Sequence, residues 1–305
     1  MLEVTAILAT TVAAATPLIF AGLGELVAER TGVINLGVEG MMLVGAIAAF
    51  ALSVQFDLSV FSALWVGAGA GMFMALIFAF FSLSLSTNQS ACGLALTIFG
   101  MGMSSFIGQN YVSQALPGLQ NMNVPVLSKI PFIGPILFQQ NYVVYLSLLA
   151  FVLVWWVLAK TRLGLLLKAV GESPESAHAM GYHVLAIRYG AVLFGGAMAG
   201  IGGAFLSTVY TPMWIENMVA GRGWIAIALV VFAAWKPARL LLGAYLFGGV
   251  TILQLHAQAL GINVPTEFLA ALPYVATILV LVLISRDKKL LKMNLPASLG
   301  KTFLP

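Results

Sequence analysis

Apolar runs of about twenty residues alternate with polar breaks along nearly the whole of this chain. Val4–Gly24, Val33–Ser53, Leu58–Ser86, Ala91–Gly108, Tyr142–Ala159, Ala186–Ser207, Leu240–Ala259 and Glu267–Ser285 are such runs, and a shorter one covers Gly223–Trp235. A helix rises 1.5 Å per residue, so about 20 residues cross the roughly 30 Å hydrocarbon layer of a bilayer. The pattern predicts an all-α polytopic transmembrane bundle of nine spans, in one domain over residues 1–305. Two longer polar intervals interrupt it, residues 109–141 and 160–188.

Composition excludes the soluble alternatives. With 61% hydrophobic and 8% charged residues, a water-soluble fold would leave apolar surface that no core could hide. The formal charge of +4 matters through its placement. Arg30, Lys160, Arg162, Lys168, Arg188, Lys236, Arg239, Arg286, Lys288, Lys289, Lys292 and Lys301 fall on one side of the predicted spans, and only Lys129 and Arg222 on the other. The positive-inside bias then puts the N-terminus outside and the C-terminus in the cytoplasm. The expected partner of this charge is the lipid bilayer, not nucleic acid. No basic residue precedes the first span, which favours an uncleaved helix over a signal peptide. The single cysteine, Cys92, can form no intramolecular disulfide and is expected to pack.

Small residues suggest how the spans meet. Gly67, Gly69 and Gly71 crowd the third, and Gly195, Gly196, Gly200, Gly202 and Gly203 the sixth. Gly196/Gly200 and Ala199/Gly203 are spaced by four, which lets helix backbones approach closely, within the subunit or across a dimer seam. Pro17 and Pro273 are expected to kink their spans. The outside interval 109–141 carries Pro117, Pro125, Pro131 and Pro135 among apolar patches, which predicts short helices on the outer surface, acting as a partner-docking face or a lid. The basic stretch after Arg286 is expected to lie on anionic headgroups.

Interval 160–188 has helix signals of its own. Ser173 can cap, Pro174 suits the first position, Glu175 the positive end and Gly181 the stop. They predict a helix of about two turns with a small exposed face, Ala177 and then Met180. Such a helix is either a knob for a partner's groove or an amphipathic helix on the bilayer surface.

Polar residues inside the apolar runs are few. Asn35 and Glu39 are four apart and on one helix would share a face. A charge in mid-span costs about 2.5–3.5 kcal/mol on insertion scales, so Glu39 must face the bundle interior or water. The pair could contact a passing solute or brace two helices, and Gln254 and Gln258 are read the same way. Glu25, Glu29 and Arg30 are expected in a solvated cytoplasmic turn. The short seventh run, with Glu216, Gly221 and Arg222 before it and Gly223 and Trp224 at its start, predicts either a broken or half-inserted helix beside a solute pathway or a short span met by tilted neighbours and local thinning.

Enzyme chemistry finds no support. His178, His183 and His256 lack metal-ligand spacing, and no Ser or Cys stands in a nucleophile motif beside a base. The triplet Gly300-Lys301-Thr302 ends like a phosphate-binding loop, but Leu295 stands where its first glycine belongs. No metal and no bound cofactor is expected. Energy must come from a partner or a gradient.

Three runs resemble one family: TRLG with AVGESPESAHAMGY (Thr161–Gly164, Ala169–Tyr182), GELVAERTGVINLGVEGMMLVGA (Gly24–Ala46) and AGRGWIAIALVVFAAWKP (Ala220–Pro237). The chain is similar to ABC-importer permeases of the ribose, galactose and branched-chain amino acid group, nucleoside-importing branch. Many sugar permeases of that group carry an additional first span. The resemblance implies that Gly171, Glu172, Ser173, Pro174, Glu175, Ala177, Met180 and Gly181 couple to a cytoplasmic ABC ATPase, which uses the ATP. It implies a second related permease subunit, an external substrate-binding lipoprotein, and residence in the bacterial cytoplasmic membrane. The expected pathway is Asn35, Glu39, Gly221, Gly223 and Trp224, for a nucleoside or simple sugar. An ion-gradient carrier remains the alternative, with Glu39 as its one good titrating candidate.

Overall fold

A computed structural model of the chain describes residues 2–125, 127–259 and 294–304, with a few isolated positions in between. The described residues are helical apart from turns, loops and two isolated bridges, Val112 to Trp214 and Ala115 to Met213. The helices are α1 (Leu2–Arg30), α2 (Val38–Phe56), α3 (Val60–Ala79), α4 (Gln89–Gly108), α5 (Ile133–Leu137) and α6 (Tyr142–Lys160). They continue with α7 (Arg162–Glu172), α8 (Pro174–Ala179), α9 (Val184–Phe205), α10 (Arg222–Phe232) and α11 (Pro237–Ala259). Single π-type turns, Phe80–Ser84 and Leu206–Tyr210, extend α3 and α9.

Seven of the described helices are long and apolar enough to span a bilayer: α1, α2, α3, α4, α6, α9 and α11, while α10 has only 11 residues. Seven of the nine expected spans therefore correspond to long helices, and the eighth is the short seventh run. The remaining one, Glu267–Ser285, lies outside the described residues, as does Pro273.

Helix α9 is the hub, packed on α1, α2 and α3. Its glycines make that possible. A Cβ on Gly203 would collide with the Met42 carbonyl of α2, and one on Gly200 with the Gly67 carbonyl of α3. These small-residue seams lie within the subunit, so the Gly196/Gly200 and Ala199/Gly203 spacing serves intramolecular packing. Pro17 sits inside α1, which continues as one helix to Arg30.

The helix ends gather into two groups. At one, Gln140 Nε2 donates to the Ala9 carbonyl at 3.0 Å and Gln55 Nε2 to the Tyr111 hydroxyl at 2.8 Å. Trp214 packs there with Phe50 and Tyr111. Interval 109–141 covers this end with α5 and two short 3₁₀ turns, Gln109–Tyr111 and Leu127–Lys129. At the opposite end lie Arg30, α7, α8, Trp235 and the segment 294–304, held together by Arg30, which donates to the Trp235 carbonyl at 2.6 Å.

Candidate functional site: a capped-helix platform and a broken helix

The platform begins where α6 ends. Thr161 closes α6 and caps α7, its Oγ1 accepting from the Gly164 amide at 3.2 Å. Residues 162–172 thus form a helix that the sequence reading treated as loop. Ser173 caps α8, accepting from the Ser176 amide at 3.2 Å, with Pro174 at the first position as expected. Gly181 terminates it at φ +88°, and the Tyr182 amide reaches back to the Ala177 carbonyl at 3.1 Å. That six-residue closure is a Schellman stop, which needs the left-handed conformation that glycine adopts without strain.

The expected exposed face is wrong at one position. Ala177 is fully buried against Val170, Val184 and Phe303, because the C-terminal segment folds back over that side of α8. The outward face is Glu175, Ser176, His178, Ala179 and Met180, the last 64% exposed, with Gly181 beyond it. His178 stacks edge-on against Phe303, ring centres 5.7 Å apart.

What holds α8 in place is a buried polar joint. The Ser298 amide donates to the Gly171 carbonyl at 2.9 Å, and its hydroxyl to the same oxygen at 2.7 Å. The Gly300 amide donates to Gly32 at 2.9 Å. Arg188 lies beneath, fully buried, donating to the carbonyls of Thr31 and Lys301 at 3.1 and 3.2 Å and to Ser298 Oγ at 3.2 Å. Gly171 has no room for a side chain, since a Cβ would strike the Arg30 carbonyl. Arg188 is a structural joint. One expectation is corrected in part: of the stretch after Arg286, residues 294–304 pack against the bundle instead of lying on headgroups, while residues 286–293 lie outside the described residues. A buried guanidinium can satisfy its donors with carbonyls, and this return segment supplies them.

Glu25 and Glu29 also differ from the solvated turn expected of them, at 1% and 2% exposure. Helix α1 runs past them to Arg30, so both point into the bundle. Glu29 accepts from Trp235 Nε1 at 2.6 Å, and Glu25 Oε1 from the Asn35 amide at 3.0 Å.

The second site is the start of α10. Asn35 and Glu39 do not share a helix face, because α2 begins only at Val38. Asn35 makes a side-chain turn instead, its Oδ1 accepting from the Gly37 amide at 2.9 Å. Glu39, in the first turn of α2, receives the Gly221 amide at 2.8 Å on one oxygen and the Gly223 amide at 2.6 Å on the other. A carboxylate placed on the free amides of a helix N-terminus is favoured by hydrogen bonding and by the helix dipole together. Gly223 must be glycine, since a Cβ would lie 2.6 Å from the Glu39 backbone. The structure therefore unites Glu39, Gly221, Gly223 and the half-buried Trp224, and leaves Asn35 with Glu25. The expected break is real: Asn217, Ala220 and Gly221 have positive φ before α10, and Ala234 and Trp235 after it.

Comparison with known proteins agrees with this architecture. The family described as branched-chain amino acid transport system, permease component, matches residues 7–284. An ABC transporter permease of Haloferax volcanii, TsgC13, assigned provisionally to glucose, is 40% identical over 97% of both chains. The nucleoside ABC transporter permease NupC of Lactococcus lactis is 34% identical over 88% of both, and the guanosine permease NupQ of Bacillus subtilis 31% over 90%. A solved transporter provisionally classed as metal-chelate type, in an inward-facing conformation, aligns at TM-score 0.51 and 16% identity, over 91% of this chain and 85% of its own, and shows the fold alone. The chain is a multi-pass, non-catalytic membrane subunit and belongs to the permease family of branched-chain amino acid type ABC transport systems.

Proposed function

We propose that this chain is one membrane half of an ATP-driven importer that carries a nucleoside, or else a simple sugar, across a bacterial cytoplasmic membrane. One observation carries the mechanism: α8 is capped at both ends, exposed on one face, and joined through Gly171, Ser298 and Arg188 to α1 and α9. A cytoplasmic ABC ATPase grips that face, and its nucleotide-driven motion passes to the bundle through a joint with little slack. Gly171, Glu172, Ser173, Pro174 and Ala177 shape and anchor the helix from behind. Glu175, Met180 and Gly181 belong to its contact surface.

The pathway lies beside the α10 break, where Trp224 lines it and Glu39 holds the break open by occupying its amides. A second, related permease supplies the facing half, and an external binding lipoprotein delivers solute at the end covered by residues 109–141. The topology is nine spans, with the N-terminus outside and the platform inside. The nucleoside reading rests on permeases named for nucleosides and guanosine. The sugar reading rests on one assigned provisionally to glucose.

Uptake of labelled guanosine, uridine and glucose by a strain lacking this chain tests the assignment. Loss of nucleoside uptake is expected, with transport stopped by ATP depletion and insensitive to an uncoupler. Uptake abolished by the uncoupler at normal ATP would instead support a gradient-driven carrier. Unchanged nucleoside uptake with lost glucose uptake would move the chain to sugars.

A further inference from the structure

Beside the platform, α1, α6, α7, the α10–α11 turn and the C-terminal segment border a half-open cavity of about 270 Å³. Three cations line it, Arg30, Lys168 and Lys236, together with Trp155 and Trp235. Arg30 is clamped against the wall, Nη1 donating to the Asn294 carbonyl at 3.1 Å and Nη2 to the Trp235 carbonyl at 2.6 Å. Its buried Nε has no partner. Among the described residues, Glu172 is the carboxylate acting on Arg30, and Glu29 is committed to the Trp235 indole. Lys168 is half-buried, and burial together with repulsion from Arg30 holds its ammonium below the usual lysine range. Like charges have thus been brought together at a partly dry site, which an anion would relieve.

That anion could come from a free phosphate or a lipid headgroup, and the surroundings favour the lipid. Trp155 is 44% exposed one turn before the end of α6, the depth at which tryptophan settles between headgroups and chains. Leu158, on the cavity wall, also borders a second cavity of about 340 Å³, lined only by apolar side chains of α1, α6, α7 and α9. Basic pockets between helices at a membrane surface suit anionic headgroups. We propose that Arg30, Lys168 and Lys236 seat the phosphate of an anionic phospholipid whose chains lie along α6. Only the choice of leaflet rests on the topology given above; binding itself is read without reference to orientation, transport or partners.

Native mass spectrometry of the full chain, with any subunits that remain attached, tests this after incubation with phosphatidylglycerol or phosphatidylcholine. Phosphatidylglycerol should be retained preferentially. The double variant Lys168→Gln/Lys236→Gln should weaken its binding roughly 30-fold, at one surface-lysine contribution for each change. Lys160→Gln, outside the cavity, should change nothing. If the double variant does not fold, Lys236→Gln alone, at an exposed position, should weaken binding roughly 5-fold. Equal retention of the two lipids, or unchanged phosphatidylglycerol binding in the variants, overturns the site. Displacement of the lipid by millimolar inorganic phosphate would show a free-anion site and overturn the lipid assignment.

Discussion

Glu39 is where a single residue changes meaning between sequence and structure. As a carboxylate in an apolar run it invites a role in binding solute or ions, yet both of its oxygens are taken by backbone amides of α10. Replacing it with leucine would orphan one buried donor, at about 1–3 kcal/mol, and one part-buried donor, at less. Glutamine keeps one acceptor. Glu39→Leu should therefore lower the thermal midpoint of the solubilised protein more than Glu39→Gln, and Glu39→Gln should still transport at matched protein level. A leucine variant as stable as wild type would sink the bracing role. A stable glutamine variant that cannot transport would restore direct contact with solute. Packing glycines give a second test at this scale. Gly203→Val drives a branched side chain into the Met42 carbonyl, and overpacking of this kind costs about 1–3 kcal/mol or more. Its membrane level on immunoblots should fall, where the same change at Gly69, with open space around it, should be silent.

Among the elements, α8 and the return segment 294–304 act as one unit. Met180→Glu places charge on the outward face without disturbing caps or core, so the protein should stay in the membrane at normal level while uptake and transport-linked ATP hydrolysis fall together, at least tenfold for a contact of about 1.4 kcal/mol or more. Full transport by that variant would remove α8 from the ATPase interface. Ala177 is buried, so Ala177→Arg should lower the membrane level of the protein itself, where Met180→Glu should not. Deleting residues 294–305 should loosen the platform, since Arg188 would lose its Ser298 and Lys301 acceptors and Gly171 its donor. Faster proteolysis within residues 160–183 than in the intact chain is the expected readout, and unchanged protection would show that the segment is not structural.

For the molecule as a whole, the prediction concerns orientation. Arg30, Lys168, Arg188 and Lys236 gather around the platform, and Arg222 lies at the α10 break. In a Cys92→Ala background, an impermeant thiol reagent should label a cysteine at Gln120 in intact cells, and one at Leu304 only after permeabilisation. Leu304 is 75% exposed, whereas Ser298 is 4% exposed and would stay unlabelled on either side. The reverse pattern would invert the topology.

Several features were legible from the chain alone because their causes are local or imposed by the solvent. Lipid forces backbone polar groups into helices and selects long apolar runs, so seven long helices and the short α10 follow from hydropathy. The caps of α8 were equally readable, because Ser173, Pro174 and Gly181 act within a few residues of themselves. Other features required the tertiary structure. Whether Glu25 meets water or the Asn35 amide, whether Ala177 faces a partner or Phe303, and whether Arg188 pairs with a carboxylate or with carbonyls depends on which backbone arrives from a hundred residues or more away, or merely from the next turn of chain. Hydropathy is blind to such arrivals, since it scores how much a residue dislikes lipid and carries no information about which group relieves it.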